Sequence, residues 1–192
     1  MDNMNTHVNL TIDLNRPLLK EGPDFLSHKV IIKTNEYAYL RPTITAMLFC
    51  MVYIVIGSCL IGLAIYLLIM SIKYDLVIFV GGFGIAITTF GLTLIQPFLR
   101  RASFDKTSGV FDNRRDRDVK LHHITSLQIN NKRVQRKHAL SYHCFELNLL
   151  TEHGRRINLL NHNNEAQLLN DAQLLAAFLN VEITDCRREI IL

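Results

Sequence analysis

The side chains in this sequence that could do chemistry are its histidines, its cysteines and a large set of basic residues. His122 and His123 are adjacent, and neighbours on an extended strand face opposite sides, so they are not expected to converge on one atom. His138, His143 and Cys144 are close in sequence but lack the paired spacing of zinc sites. Hydrogen-bonded or solvated roles are expected for each histidine, with no metal. Cys50, Cys59, Cys144 and Cys186 make no CxxC pair and read as reduced thiols. Gly81-Gly82-Phe83-Gly84 has the composition of a phosphate loop, but it lies inside an apolar run rather than between a strand and a helix. Ser, His and Asp occur without a nucleophile elbow. Asn148 and Asn158 fall on facing strands and read as a cross-strand polar contact. The expectation is therefore a protein that is not an enzyme and carries no cofactor.

Positive charge is the one feature above this background. The chain has 21 Lys and Arg against 17 Asp and Glu, and the surplus falls beyond residue 100. Arg114, Arg115, Arg117, Lys132, Arg133, Arg136, Lys137, Arg155 and Arg156 are the candidate binding residues, with Arg100 and Arg101 beside an apolar run. Three readings fit them. They can be a positive-inside signal with a solvated face. They can contact anionic lipid, at ~1 kcal/mol per residue near the surface. They can dock an acidic protein partner. Nucleic acid fits poorly, because no stacking aromatics interleave with the charges.

The elements that must position these residues begin with two apolar runs. Pro42 to Ile72 gives 31 residues without a formal charge, and Leu76 to Leu99 gives 24. A helix needs about 20 apolar residues to cross the hydrocarbon. The sequence predicts a transmembrane hairpin over 44–99, with helices at about 44–72 and 76–99. The link Lys73-Tyr74-Asp75 forces the helices antiparallel. Ten Lys and Arg flank the outer ends and one lies in the link, which predicts both termini in the cytoplasm. Ser58 with Gly62, and Gly82 with Ala86 beside Gly81 and Gly84, are spaced for close helix contact, within the hairpin or between protomers of a homo-oligomer. Neither run holds an ionisable Asp, Glu, Lys, Arg or His, which argues against a transporter.

The remaining segments read as one β-rich domain. Val8, Leu10, Ile12 and Leu14 alternate in a strand over 7–14, and Lys29 to Thr34 is a second candidate. Residues 1–43 are expected to join the sheet formed by 100–192. That second part predicts a hairpin around Lys106–Gly109, a strand holding Leu127 and Ile129, and an exposed basic loop over 131–141. A second hairpin turns at Glu152-His153-Gly154. A helix follows, capped by Asn164 and stopped by Asn180, with Leu168, Ala172, Leu175 and Leu179 as its apolar stripe. Val181-Glu182-Ile183 is expected to leave as an extended tail. The fold class is thus a membrane α-helical hairpin plus an α+β domain. Its small antiparallel sheet or half-barrel is closed by one C-terminal amphipathic helix.

Phe104-Asp105-Lys106-x-x-Gly109, Ile124-x-x-Leu127-Gln128, Glu146-Leu147-Asn148-Leu149, Gly154-x-Arg156-x-Asn158-Leu159 and Asp171-Ala172-x-x-Leu175-Ala176-x-Phe178-Leu179 occur in that order. Residues 104–179 so resemble a group of bacterial inner-membrane proteins that pair a two-helix hairpin with a cytoplasmic pleckstrin-homology-like domain. The resemblance implies an architecture and no catalytic residues. The function expected is a membrane-anchored binding module. In one version it is an immunity-type protein that neutralises a toxin or effector. In the other it is an accessory subunit recognising anionic lipid or a protein partner. An enzyme using His122, His123 or His143 is the third class.

Overall fold

The computed structural model describes residues 16–70, 73–99, 101–113, 118–136 and 140–187. The strand expected over 7–14 lies outside them. Strands β1 (His28–Ile32) and β2 (Tyr37–Pro42) form an antiparallel pair with Val30 opposite Leu40. Helix α1 (Ile44–Ile69) starts directly after β2. Its cap is Thr43, whose Oγ1 accepts from Ala46 N at 3.3 Å and donates to Leu26 O at 2.5 Å. Helix α2 (Tyr74–Leu99) returns to β3 (Ser103–Asp105).

Both helices are long and apolar enough to cross a bilayer, with mean hydropathy of 2.6 and 2.0 in their spans. Only 17 % of each span is buried inside the protein, so neither is wrapped as a soluble core helix would be. Their contact seam is made of small residues. Ala46, Cys50, Gly57 and Ala64 are the buried positions along α1, and the last three are seven apart, which is the repeat of left-handed helix pairing. A Cβ on Gly57 would sit 2.8 Å from Gly84 O, and one on Gly84 would sit 2.9 Å from Ile61 N. Gly91 faces Ile54 in the same way, and Gly81 faces Ala64. Two positions expected from sequence spacing do not take part: Gly62 and Gly82 have open space around them. Ser58 bonds within its own helix, to Ile54 O.

The hairpin is an insertion between neighbouring strands, because β2 pairs with β3, Ala38 opposite Phe104. Strands β4 (Val110–Asp112) and β5 (Val119–Lys120) complete a five-stranded sheet in the order β1-β2-β3-β4-β5. Gly109 takes φ 70° in the β3–β4 turn, a backbone conformation that suits glycine. A 3₁₀ turn (Leu121–His123) then leads into the second sheet, of β6 (Ile124–Val134), β7 (Tyr142–Thr151), β8 (Arg156–His162) and β9 (Glu182–Asp185). Its order is β8-β7-β6-β9. Two expectations are corrected here. The loop expected from residue 131 is strand through Val134, where it pairs with Tyr142. The expected tail is β9, which pairs parallel to β6 from Glu182 opposite Ser126.

Helix α3 (Glu165–Leu179) covers the core shared by both sheets. Asn164 Oδ1 accepts from Gln167 N at 2.9 Å, and Asn180 adopts the left-handed conformation, φ 57°, that ends the helix. Phe104 and Phe111 stack at 4.4 Å within this core, against Leu127, Leu147, Leu168 and Leu175. Asp171 is buried on α3. Burial pushes its carboxyl up to about 6, against the hydrogen bonds it accepts from Gln167 and the Val30 N–H. The layout is α+β, and the described strands close no barrel.

The seam makes a prediction. Gly57→Val drives a side chain into the α2 backbone, while Gly62→Val meets only open space. In detergent-solubilised full-length protein, thermal unfolding should show Gly57→Val destabilised by ~1–3 kcal/mol and Gly62→Val unchanged. Equal loss in both variants would contradict the seam.

Candidate functional site

Strands β6, β7 and β8 carry apolar side chains on the face toward α3. On the other face they carry Gln128, Asn130 and Lys132, then Cys144, Glu146 and Asn148, then Asn158 and Asn161. Alternation along a strand normally sends such residues into water. Here Gln128, Asn130, Glu146 and Asn148 have no exposed surface. Residues 16–24 cross this face as a strap that meets it mainly through backbone groups, with Asp24 adding its side chain at the end.

Glu146 is the centre. Its Oε1 accepts from Leu18 N at 2.5 Å and from Asn148 Nδ2 at 2.9 Å. Its Oε2 accepts from Leu19 N at 3.2 Å and from Lys132 Nζ at 3.2 Å. An ionised carboxylate offers about four acceptor sites, so this one is filled. Lys132 Nζ also donates to Leu19 O at 2.7 Å and Glu21 O at 2.9 Å, so its three protons are placed. Neither charge is left without a partner, which is the condition for burying an ion pair. Arg156 Nη2 stands 3.9 Å from Glu146 Oε1 and donates to Arg16 O at 3.0 Å.

The strap continues along the sheet. Asn130 Nδ2 donates to Arg16 O at 3.2 Å, and Asn161 Nδ2 to Glu21 O at 2.9 Å. Tyr142 OH donates to Gly22 O. A Cβ on Gly22 would lie 2.4 Å from Cys144 Sγ, so the strap approaches this closely only with glycine there. Burial pushes the Cys144 thiol up to about 11, which keeps it protonated and unreactive. Asp24 ends the run, paired with Arg136 at 2.8 Å. Asn148 and Asn158 make the expected cross-strand contact, at 3.1 Å.

The sequence-predicted binding residues therefore divide. Lys132 and Arg156 are spent inside the protein, and Lys132 is not the exposed loop residue expected. Its strand position and the carboxylate on the facing strand account for the difference. Arg133 is exposed and bonds Ser141 Oγ at 2.8 Å. Arg136 stacks over the Tyr142 ring at 4.7 Å while pairing with Asp24. Arg155 is half-buried in the turn before β8. Arg114, Arg115, Arg117 and Lys137 lie outside the described residues. Those described do not form one continuous basic patch, because two are internal and one is neutralised by a carboxylate.

Sequence reasoning missed Glu146 and the strap. The signal was present: Lys132 and Glu146 are opposite charges on facing strands, and Gln128, Asn130 and Asn148 share their parity. His122 and His123, expected on a strand, lie in the 3₁₀ turn with rings 4.2 Å apart. A cleft of about 300 Å³ opens between the sheets, lined by His28, Leu40, Phe111 and the Asn158–Asn161 stretch of β8. No family model matches the chain, and no curated protein matches it.

The clasp is testable by proteolysis. Glu146→Gln removes the charge that faces Lys132 and weakens the acceptor for two strap amides. Losing one partner of a buried pair costs ~3–5 kcal/mol. Trypsin should cleave the full-length variant after Lys20 at least tenfold faster than the wild type, because cleavage follows the population of the opened strap. An unchanged rate would mean that the strap is held elsewhere.

Proposed function

We propose that this chain is a non-enzymatic binding module anchored by two transmembrane helices at the cytoplasmic face of a bacterial inner membrane. In its most concrete form it is an immunity-type protein that binds and neutralises a cognate toxin or effector. The observation that carries the reading is the insertion of the helical hairpin between β2 and β3, which are hydrogen-bonded neighbours. A domain tethered by one flexible linker would sample many heights above a bilayer. Here the links at both ends of the hairpin are tied down. Thr43 N donates to Ser27 O at 2.9 Å, Leu40 N to Ala102 O at 2.9 Å, and His28 stacks on Phe98 at 5.5 Å. The anchor and the five-stranded sheet thus hold the rest of the domain at a set distance and orientation. Such a platform suits capture of a partner at the membrane.

The relation to pleckstrin-homology-like domains is part of this reading, supported by two sheets packed with one C-terminal helix. Orientation is supported by the basic flanks, of which Arg101 lies 5.8 Å over the Tyr39 ring beside the end of α2. Arg133, exposed at the far end of β6, is the described cation best placed for an acidic partner, and Arg136 just beyond the strand can join it by exchanging Asp24 for a carboxylate of that partner. Anionic lipid is a weaker fit for them, because two spanning helices already anchor the domain far more firmly than a surface contact would.

Two measurements test this. A reporter active only outside the cytoplasm should be silent at Leu192 and active when inserted at Tyr74; the reverse would overturn the orientation. Co-expression with a toxin encoded beside this gene should restore growth, and Arg133→Gln with Arg136→Gln should weaken that protection without lowering the membrane level of the protein. If the chain instead co-purifies with subunits of a membrane complex and gives no protection, the accessory-subunit reading replaces the immunity one.

A further inference from the structure

At the end of the second sheet away from the Lys132–Glu146 clasp, three side chains converge that the proposed function does not use. His123 belongs to the 3₁₀ turn before β6, and Glu152 and His153 form the β7–β8 turn. One nitrogen or oxygen from each lies within 4.8 Å of the others. We propose that His123, Glu152 and His153 are the protein ligands of a divalent transition-metal site of the Zn²⁺ class, which joins the 3₁₀ turn to the β7–β8 hairpin.

Three observations carry this. The first is spacing. Zinc holds nitrogen and oxygen at about 2.0–2.2 Å in a tetrahedron, which places neighbouring ligand atoms about 3.3 Å apart. His153 Nε2 stands 3.4 Å from Glu152 Oε1, and His123 Nδ1 is in contact with the same oxygen. Small side-chain rotations separate the atoms around an ion. The second is preorganisation. Glu152 N donates to His123 O at 2.9 Å, so the two ligand-bearing loops are already joined through their backbones. Gly154 takes φ 73° and donates to Thr151 O at 2.9 Å, which closes the turn that presents Glu152 and His153. The third is the donor set and its access. Two imidazoles and one carboxylate suit Zn²⁺ and its neighbours rather than Mg²⁺ or Ca²⁺, which favour all-oxygen ligation. The cluster borders a hollow of about 250 Å³ that Asp118, Lys120 and Arg155 also line, leaving room for water at the fourth position. The ring of His122, 4.2 Å from that of His123, is a second candidate for that position.

The cluster has an alternative reading as an ion pair between protonated histidine and Glu152. Metal binding separates the two. Full-length protein in detergent, freed of any affinity tag, is titrated calorimetrically with Zn²⁺ and, separately, with Mg²⁺. The expected result is one Zn²⁺ per chain, no measurable Mg²⁺, and a higher unfolding temperature with Zn²⁺ present. His153→Ala is the decisive variant, because that side chain is 74 % exposed and its loss leaves the fold intact. It should weaken Zn²⁺ binding at least tenfold and abolish the thermal shift, with the metal-free unfolding temperature unchanged. His123→Ala should do the same. Zn²⁺ binding that is absent, that matches Mg²⁺ binding, or that survives both substitutions would overturn the proposal and leave an ion pair only.

Discussion

A carboxylate sealed from water must have its acceptor sites filled by the protein, and Glu146 imposes that constraint here. Its partners come from three places in the chain: Asn148 on its own strand, Lys132 on the neighbouring strand, and the Leu18 and Leu19 amides from more than 120 residues earlier. Removing the strap would expose the ion pair and strip Lys132 of two carbonyl partners. A polar sheet face thus becomes an interior. Gln128, Asn148 and Asn158 extend the network across the strands, and Asn130 and Asn161 bond the strap carbonyls of Arg16 and Glu21.

This clasp explains how a chain divided by an apolar helical hairpin forms one body. Residues 16–42 precede α1, and everything they contact outside the hairpin follows α2. The β2–β3 pairing joins the two parts beside the helical hairpin, and the strap joins them across the second sheet. Helix α3 adds a third tie, since Asp171 accepts from the Val30 N–H of edge strand β1 and covers that edge. Local order in each part depends on the other, which is why residues 16–42 are not a free tail.

Legibility in the sequence followed the physics of each element. The apolar runs, the hairpins at Gly109 and Gly154, and the caps at Asn164 and Asn180 were readable because each depends on local residue type: span length, positive φ, or a side-chain acceptor. The course of β9 was not, because a parallel strand at a sheet edge is set by distant pairing. The strap was hidden for a related reason. Glu146 and Asn148 alternate with Leu147 and Leu149, which is the pattern of a solvated face, and nothing local says that another segment covers it. The exposed basic loop expected over 131–141 failed at its first four residues, which are strand, and most clearly at Lys132. Charge counted along a sequence does not tell a solvated ammonium from one with three acceptors. The helix seam was half legible: small residues abounded, but the seven-residue spacing of Cys50, Gly57 and Ala64 decided which of them meet α2.

The central claim is that Glu146 holds the strap through the Leu18 and Leu19 amides. Residue-resolved hydrogen exchange on the full-length protein reads those two amides directly. The account predicts exchange slowed by about two orders of magnitude or more relative to the free-chain rate, since both donate to a buried acceptor and exchange only when the strap opens. Exchange of both amides at the free-chain rate, with β7 protected, would contradict it.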